Sequence, residues 1–195
     1  MKIACFATVI VLTCLTWVHG QSRSSSPKTR YKCGTLISAF DKSKNETQVQ
    51  LRPLILEGGF ETAPGETLHG ENYLPNDDHG VALTFIYAFP GKVPSKPQSV
   101  IVVIEAENTR PKYESDRELS VNLDGVVSKL ASTNRTVWRT NLGLTREDLS
   151  TSVSFEQFMK ISGAKKVKLI LGNSSFVLNE CHLDALHKLG SSIPQ

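Results

Sequence analysis

Between residues 68 and 81 the chain reads LHGENYLPNDDHGV, and His69, Glu71, Asp77, Asp78 and His79 fall there within eleven positions. Imidazole and carboxylate groups are the usual ligands of zinc and calcium. The chemistry to test is therefore a metal site, and with it a metal-assisted hydrolase built on the His69–His79 segment. The spacing argues against it. Calcium loops place their oxygens at alternate positions around a turning glycine, and Asn76-Asp77-Asp78-His79-Gly80 does not. Zinc proteases hold two histidines one helical turn apart around a glutamate, whereas His69 and His79 are ten apart with Pro75 between them. The expectation is a solvated acidic loop, with no metal, cofactor or catalytic residue assigned. His69, Glu71, Asp77, Asp78 and His79 stay as the metal candidates of the rival hydrolase reading.

Elsewhere the residues capable of chemistry are scattered. His182 and His187 are five apart, which on a helix separates them by roughly 140°, so they cannot share one ion and read as solvent-facing. The sequence contains no G-x-S-x-G elbow, phosphate-binding P-loop, G-x-G-x-x-G or zinc-ribbon cysteine pattern. That lowers the weight of an enzyme reading, although catalytic groups that meet only in three dimensions leave no such trace. Asn45-Glu46-Thr47, Asn134-Arg135-Thr136 and Asn173-Ser174-Ser175 match the N-glycosylation acceptor pattern, whose use depends on the host.

The elements that must position these residues begin after a targeting segment. MKIACFATVIVLTCLTWVHG carries Lys2, an apolar run from Ile3 to Val18 and small Gly20, the arrangement of a signal peptide cut before Gln21. Its apolar run is short of the ~20 residues of a spanning helix, so no membrane span is expected after cleavage. Residues 21–32, with Arg23, Lys28, Arg30 and Lys32 among serines and a proline, read as a disordered basic leader.

Cys5 and Cys14 would leave with the signal, and Cys33 and Cys181 would remain. An even count in an exported chain favours a disulfide between them, tying the first strand to the last helix. The alternative is a reactive thiol at Cys181, whose pKa a helix N-terminus would lower. A net charge of +3 in 195 residues is too small to imply a nucleic-acid partner. Its distribution is uneven, because 53–91 contains no Lys or Arg but carries Glu57, Glu61, Glu66, Glu71, Asp77 and Asp78.

Residues 33–195 suit a single domain. CGTLISAFDKSKNETQVQLRPLIL reads as a hairpin turning at Asp41 to Asn45, and 57–80 as a long acidic loop. VALTFIYAFPG and SVIVVIEAE are apolar on both faces, as central strands are. Asp124-Gly125 predicts a hairpin pairing Leu119 with Leu130 and Leu123 with Val126, and TVWRTNLGL a further strand. Ser154 caps a helix with Gln157 completing its capping box, Val153 and Phe158 as its staple and Gly163 as its stop. A second hairpin turns at Gly172-Asn173, with Leu169 opposite Phe176. Asn179 then caps a last helix whose buried stripe is Leu183, Leu186 and Leu189, ending at Gly190. The fold class that follows is mainly β (α+β): an antiparallel β-sandwich-like core with two short helices toward the C-terminus.

The order of TQVQL, AFPGKVPSKPQSVIVVIEA, LSVNLDG and FEQFMKISGAKKVKLILGNSSFVLNECHLDALHKL resembles a loose group of small exported bacterial domains of unknown function. The likeness is one of pattern over about three quarters of the chain beyond the signal segment. It implies export and the β-rich fold, and carries over no site residue. The functional expectation is a secreted non-catalytic binding module, extracytoplasmic (periplasmic in a bacterium), whose partner is a protein or a cell-surface component.

Overall fold

A computed structural model describes residues 33–63, 66–69, 79–140 and 143–194, the stretch 60–69 by its backbone alone. The expected signal segment 1–20 and leader 21–32 lie outside these residues. Twelve strands and two helices form two antiparallel sheets and a helical pair among the described residues. The larger sheet runs in the order β1 (Leu36–Asp41), β2 (Glu46–Leu51), β5 (Gly80–Pro90), β6 (Ser99–Asn108), β10 (Thr145–Ser154) and β9 (Asn134–Arg139). β3 (Leu54–Ala63) borders the first half of β5 on the edge that β2 borders further along, and β4 (Glu66–His69) pairs with β3. The smaller sheet has the order β12 (Ser174–Val177), β11 (Val167–Leu171), β7 (Glu118–Leu123) and β8 (Val126–Ser132).

Alternation along the strands decides what is buried. On β10, Leu149 and Val153 point into the core while Asp148 and Ser152 point out. On β6, Val100, Val102 and Ile104 point in while Ile101 stays 44% exposed. These inward residues share one core with Leu119, Val121, Leu169 and Leu171 of the smaller sheet and with both helices. The second layer over the large sheet is therefore the four-stranded sheet together with α1 (Phe155–Gly163) and α2 (Glu180–Ser192). Phe158 of α1 meets Phe85 of β5 with ring centroids 5.6 Å apart. The sandwich-like α+β architecture expected from the sequence is the one observed.

The local signals hold in detail. Ser154 accepts from the Gln157 N–H at 3.1 Å and Gln157 returns a bond to the Ser154 N–H, while Asn179 accepts from the His182 N–H at 2.9 Å. Leu169 faces Phe176, and Leu123 faces Val126 across the turn where Asp124 and Gly125 both take positive φ. Cys33 and Cys181 are bonded, their Cα atoms 5.9 Å apart, so the disulfide reading displaces the free-thiol one.

Several expectations change. Much of the expected loop at 57–80 is strand: β3 runs to Ala63, and β4 lies antiparallel to it with Gly59 opposite His69. The glycines that read as loop punctuation serve close approach instead. A Cβ on Gly58 would lie 2.0 Å from the His79 carbonyl oxygen, and one on Gly80 1.8 Å from that of Gly59. A register shift after Leu119 sets that residue opposite Ala131 rather than Leu130. α1 includes Gly163 and is capped by Ala164, and α2 continues past Gly190 to Ser192. His182, read as solvent-facing, is buried on the inner side of α2 with Ala185, Leu186 and Leu189, and Leu183 is only half-buried. β10 was not anticipated as a strand, and it carries Arg146 and Asp148 at the centre of the site.

Candidate functional site

The outer face of the large sheet gathers its charge where β9, β10, β6 and β5 lie side by side. Pairing sets Trp138 beside Arg146, Arg146 beside Glu107, Thr136 beside Asp148 and Asp148 beside Glu105. Side chains in one such row stand on one face about 5 Å apart. Arg146 pairs with Glu105, reaches Glu107 at 3.4 Å and lies 3.7 Å from Asp148, so three carboxylates surround one guanidinium. The same guanidinium sits 5.6 Å from the centre of the Trp138 ring, in cation–π range, and that ring is 40% exposed.

Burial, and after it the Glu105 carboxylate, push the Asp148 carboxyl up to about 6, against the opposing pull of Arg146. As pH falls through 6 Asp148 takes up a proton and the cluster loses that negative charge. Further along the face the character changes. Ser150 and Ser152 of β10 give way to Ile101 of β6, then Ile86 of β5, Gln50 of β2 and Ile37 at the β1 edge.

Beneath the cluster the strand is held by a second carboxylate. Glu147 points inward from β10, is fully buried, and accepts from the N–H groups of Lys112 and Tyr113 at 2.6 and 3.1 Å and from Arg135 Nε at 2.7 Å. One side chain therefore fixes β9, β10 and the connection after β6 together. It accepts enough hydrogen bonds to offset its burial. Trp138, Arg146 and Asp148 are held in place by that arrangement.

The residues singled out from the sequence stand elsewhere. His79 precedes β5, half-exposed, with its Nε2 3.5 Å from Glu57 Oε1. His69 ends β4, its side chain not described, and Glu71, Asp77 and Asp78 lie outside the described residues. Among the described residues no three His, Cys, Asp or Glu side chains converge to hold a metal ion. The acceptor residues Asn45, Asn134 and Asn173 are all exposed, Asn45 in the β1–β2 turn and Asn173 in the β11–β12 turn. Asn134 begins β9 on the face that carries Thr136 and Trp138. The signal that could have found the cluster is the alternation Arg146, Asp148, Ser150, Ser152 against Leu149, Thr151, Val153.

No family model matches the chain. No curated protein and no solved structure matches it either. The site therefore has to be read from its own geometry. No described helix is long and apolar enough to cross a membrane.

Proposed function

We propose that the protein is an extracytoplasmic, non-catalytic binding module that recognises a partner protein through the outer face of its large sheet. The observation that carries this reading is the half-exposed Trp138 ring laid on Arg146 among three carboxylates. Tryptophan and arginine dominate binding hot spots because each buries a large surface, tryptophan with few rotors and arginine with a planar fork of donors, and a ring already held by a cation loses little freedom on binding. The carboxylates of the cluster favour a partner that presents cationic or hydrogen-bond-donating groups, and with Asp148 protonated association should weaken as pH falls through 6. The Cys33–Cys181 disulfide supports an oxidising compartment, and the signal-like N-terminus supports export.

Photo-crosslinking from Thr136 in cells that export the protein, with Lys42 as the control position, would capture the partner. Titration of that partner against Trp138→Ala should then show about a thirtyfold loss of affinity, the ~2 kcal/mol of a hot spot. Unchanged affinity, or equal cross-linking from Lys42, would remove the face from the account. A host that glycosylates Asn134 should weaken the same association by crowding β9.

A further inference from the structure

The outer face of the smaller sheet has an opposite character and belongs to none of the features above. Its strands set Val177, Lys168, Asn122 and Val127 in one row across β12, β11, β7 and β8. Val177 is 72% exposed and Val127 60%. Lys165 and Lys166 form the bend that leads into β11, and both are exposed. A depression of about 260 Å³ runs between Lys165, Lys166, Lys168, Asn122, Gly125 and Val177.

The charge there is not answered by the described residues. None of the three ammonium groups forms an ion pair with a described residue, whereas Lys129 on β8 is held by Glu118 at 2.5 Å. The Asp124 carboxylate at the β7–β8 tip is occupied by the backbone: it accepts from the Lys166 N–H at 2.8 Å and from the Lys165 N–H at 3.3 Å. This pair of bonds fixes the β7–β8 tip against the start of β11 and leaves the lysine side chains free to reach outward. Exposed valines alone would fit many partners, and lysines alone any anion. A face that offers both in one row complements a surface with anionic groups above an apolar layer.

We propose that this face docks on an anionic phospholipid surface, the lysines meeting headgroup phosphates and carboxylates while Val127 and Val177 enter the interfacial layer. The interaction is peripheral, because two valines bury too little to anchor the chain without the charges. It is independent of the face around Trp138 and stands or falls separately.

The test is sedimentation of the full chain with vesicles of phosphatidylcholine alone and of phosphatidylcholine mixed with phosphatidylserine, each at low and high salt. Binding is expected only to the mixed vesicles and should be lost at high salt. It should weaken about fivefold for each of Lys165→Glu, Lys166→Glu and Lys168→Glu. Val127→Asp and Val177→Asp should weaken it further, and Lys42→Glu, the same charge change in the β1–β2 turn, should leave it intact. Unaltered thermal unfolding of each variant guards against misfolding. Equal binding to both kinds of vesicle would overturn the proposal, as would binding lost with the lysines but indifferent to the valines. Retention on a soluble sulfated polysaccharide without vesicle binding would also overturn it and assign the lysines to a polyanion. Absence of binding to every surface would overturn it outright.

Discussion

The two outward faces of the sandwich use charge in opposite ways. On the large sheet, Glu105, Glu107 and Asp148 close around Arg146, which in turn sits under Trp138, and buried Glu147 braces the strand that carries them. On the small sheet, Lys165, Lys166 and Lys168 stand without ionic partners among the described residues, next to exposed valines. The first face is tied down by ion pairs and a cation–π contact, as the proposed recognition of a partner of defined shape requires; the lysines of the second are exposed, as the proposed contact with a surface without fixed shape requires. Stability should accordingly be concentrated beneath the faces, and substitutions on them should change recognition more than folding.

That division can be broken by measured unfolding energies. Removing the disulfide as Cys33→Ala with Cys181→Ala should reduce stability most, by ~4–5 kcal/mol on the chain-entropy account of so long a loop. Glu147→Ala should lose about 3–5 kcal/mol in chemical denaturation, because Arg135 and two backbone N–H groups would be left without their acceptor. Leu186→Ala, fully buried on α2, should lose about 2–5 kcal/mol through the cavity it opens. Asp148→Asn works in the other direction. The folded protein holds the Asp148 proton up to about pH 6 and the unfolded chain only to 3.8. Ionisation therefore opposes folding increasingly as pH rises between these values, and the full cost is present above 6. Asp148→Asn should stabilise the protein at neutral pH by on the order of 1 kcal/mol, the shift being discounted for solvent access, and should have little effect near pH 3. Lys168→Ala and Val177→Thr should stay within about 0.5 kcal/mol. Large losses at these last two would show that the small-sheet face is part of the structural core.

What could be read in the sequence was whatever short-range chemistry dictates. Ser154 with Gln157, Asn179, Asp124-Gly125 and Gly172-Asn173 specify caps and turns within four residues, and each is found in place. The cysteine pair was reached by elimination, since only Cys33 and Cys181 remained once the signal segment was set aside. β10 escaped notice because its inward positions include Thr145, Glu147 and Thr151, which blur the contrast of apolar with polar that marks a strand. Glu147 can be buried there only because Arg135 and the connection after β6 arrive to pair with it, and no local pattern reveals that. β3 was misread for a related reason, its glycines being needed where two backbones nearly touch. The cluster of Trp138, Arg146, Asp148 and Glu105 draws on three strands, and the Glu105 strand is separated from Asp148 by 43 positions of chain, so it becomes visible only with the register.

The most direct test of the charged face is a fluorescence titration of Trp138 between pH 4 and 8 on protein without the signal segment 1–20, in which Trp138 is the only tryptophan. Ionisation of Asp148 should change the pull on Arg146 and hence on the ring above it. The account predicts a transition in emission near pH 6 that disappears in Asp148→Asn while the thermal unfolding of both proteins remains cooperative. A flat profile, or a transition that survives Asp148→Asn, would contradict it.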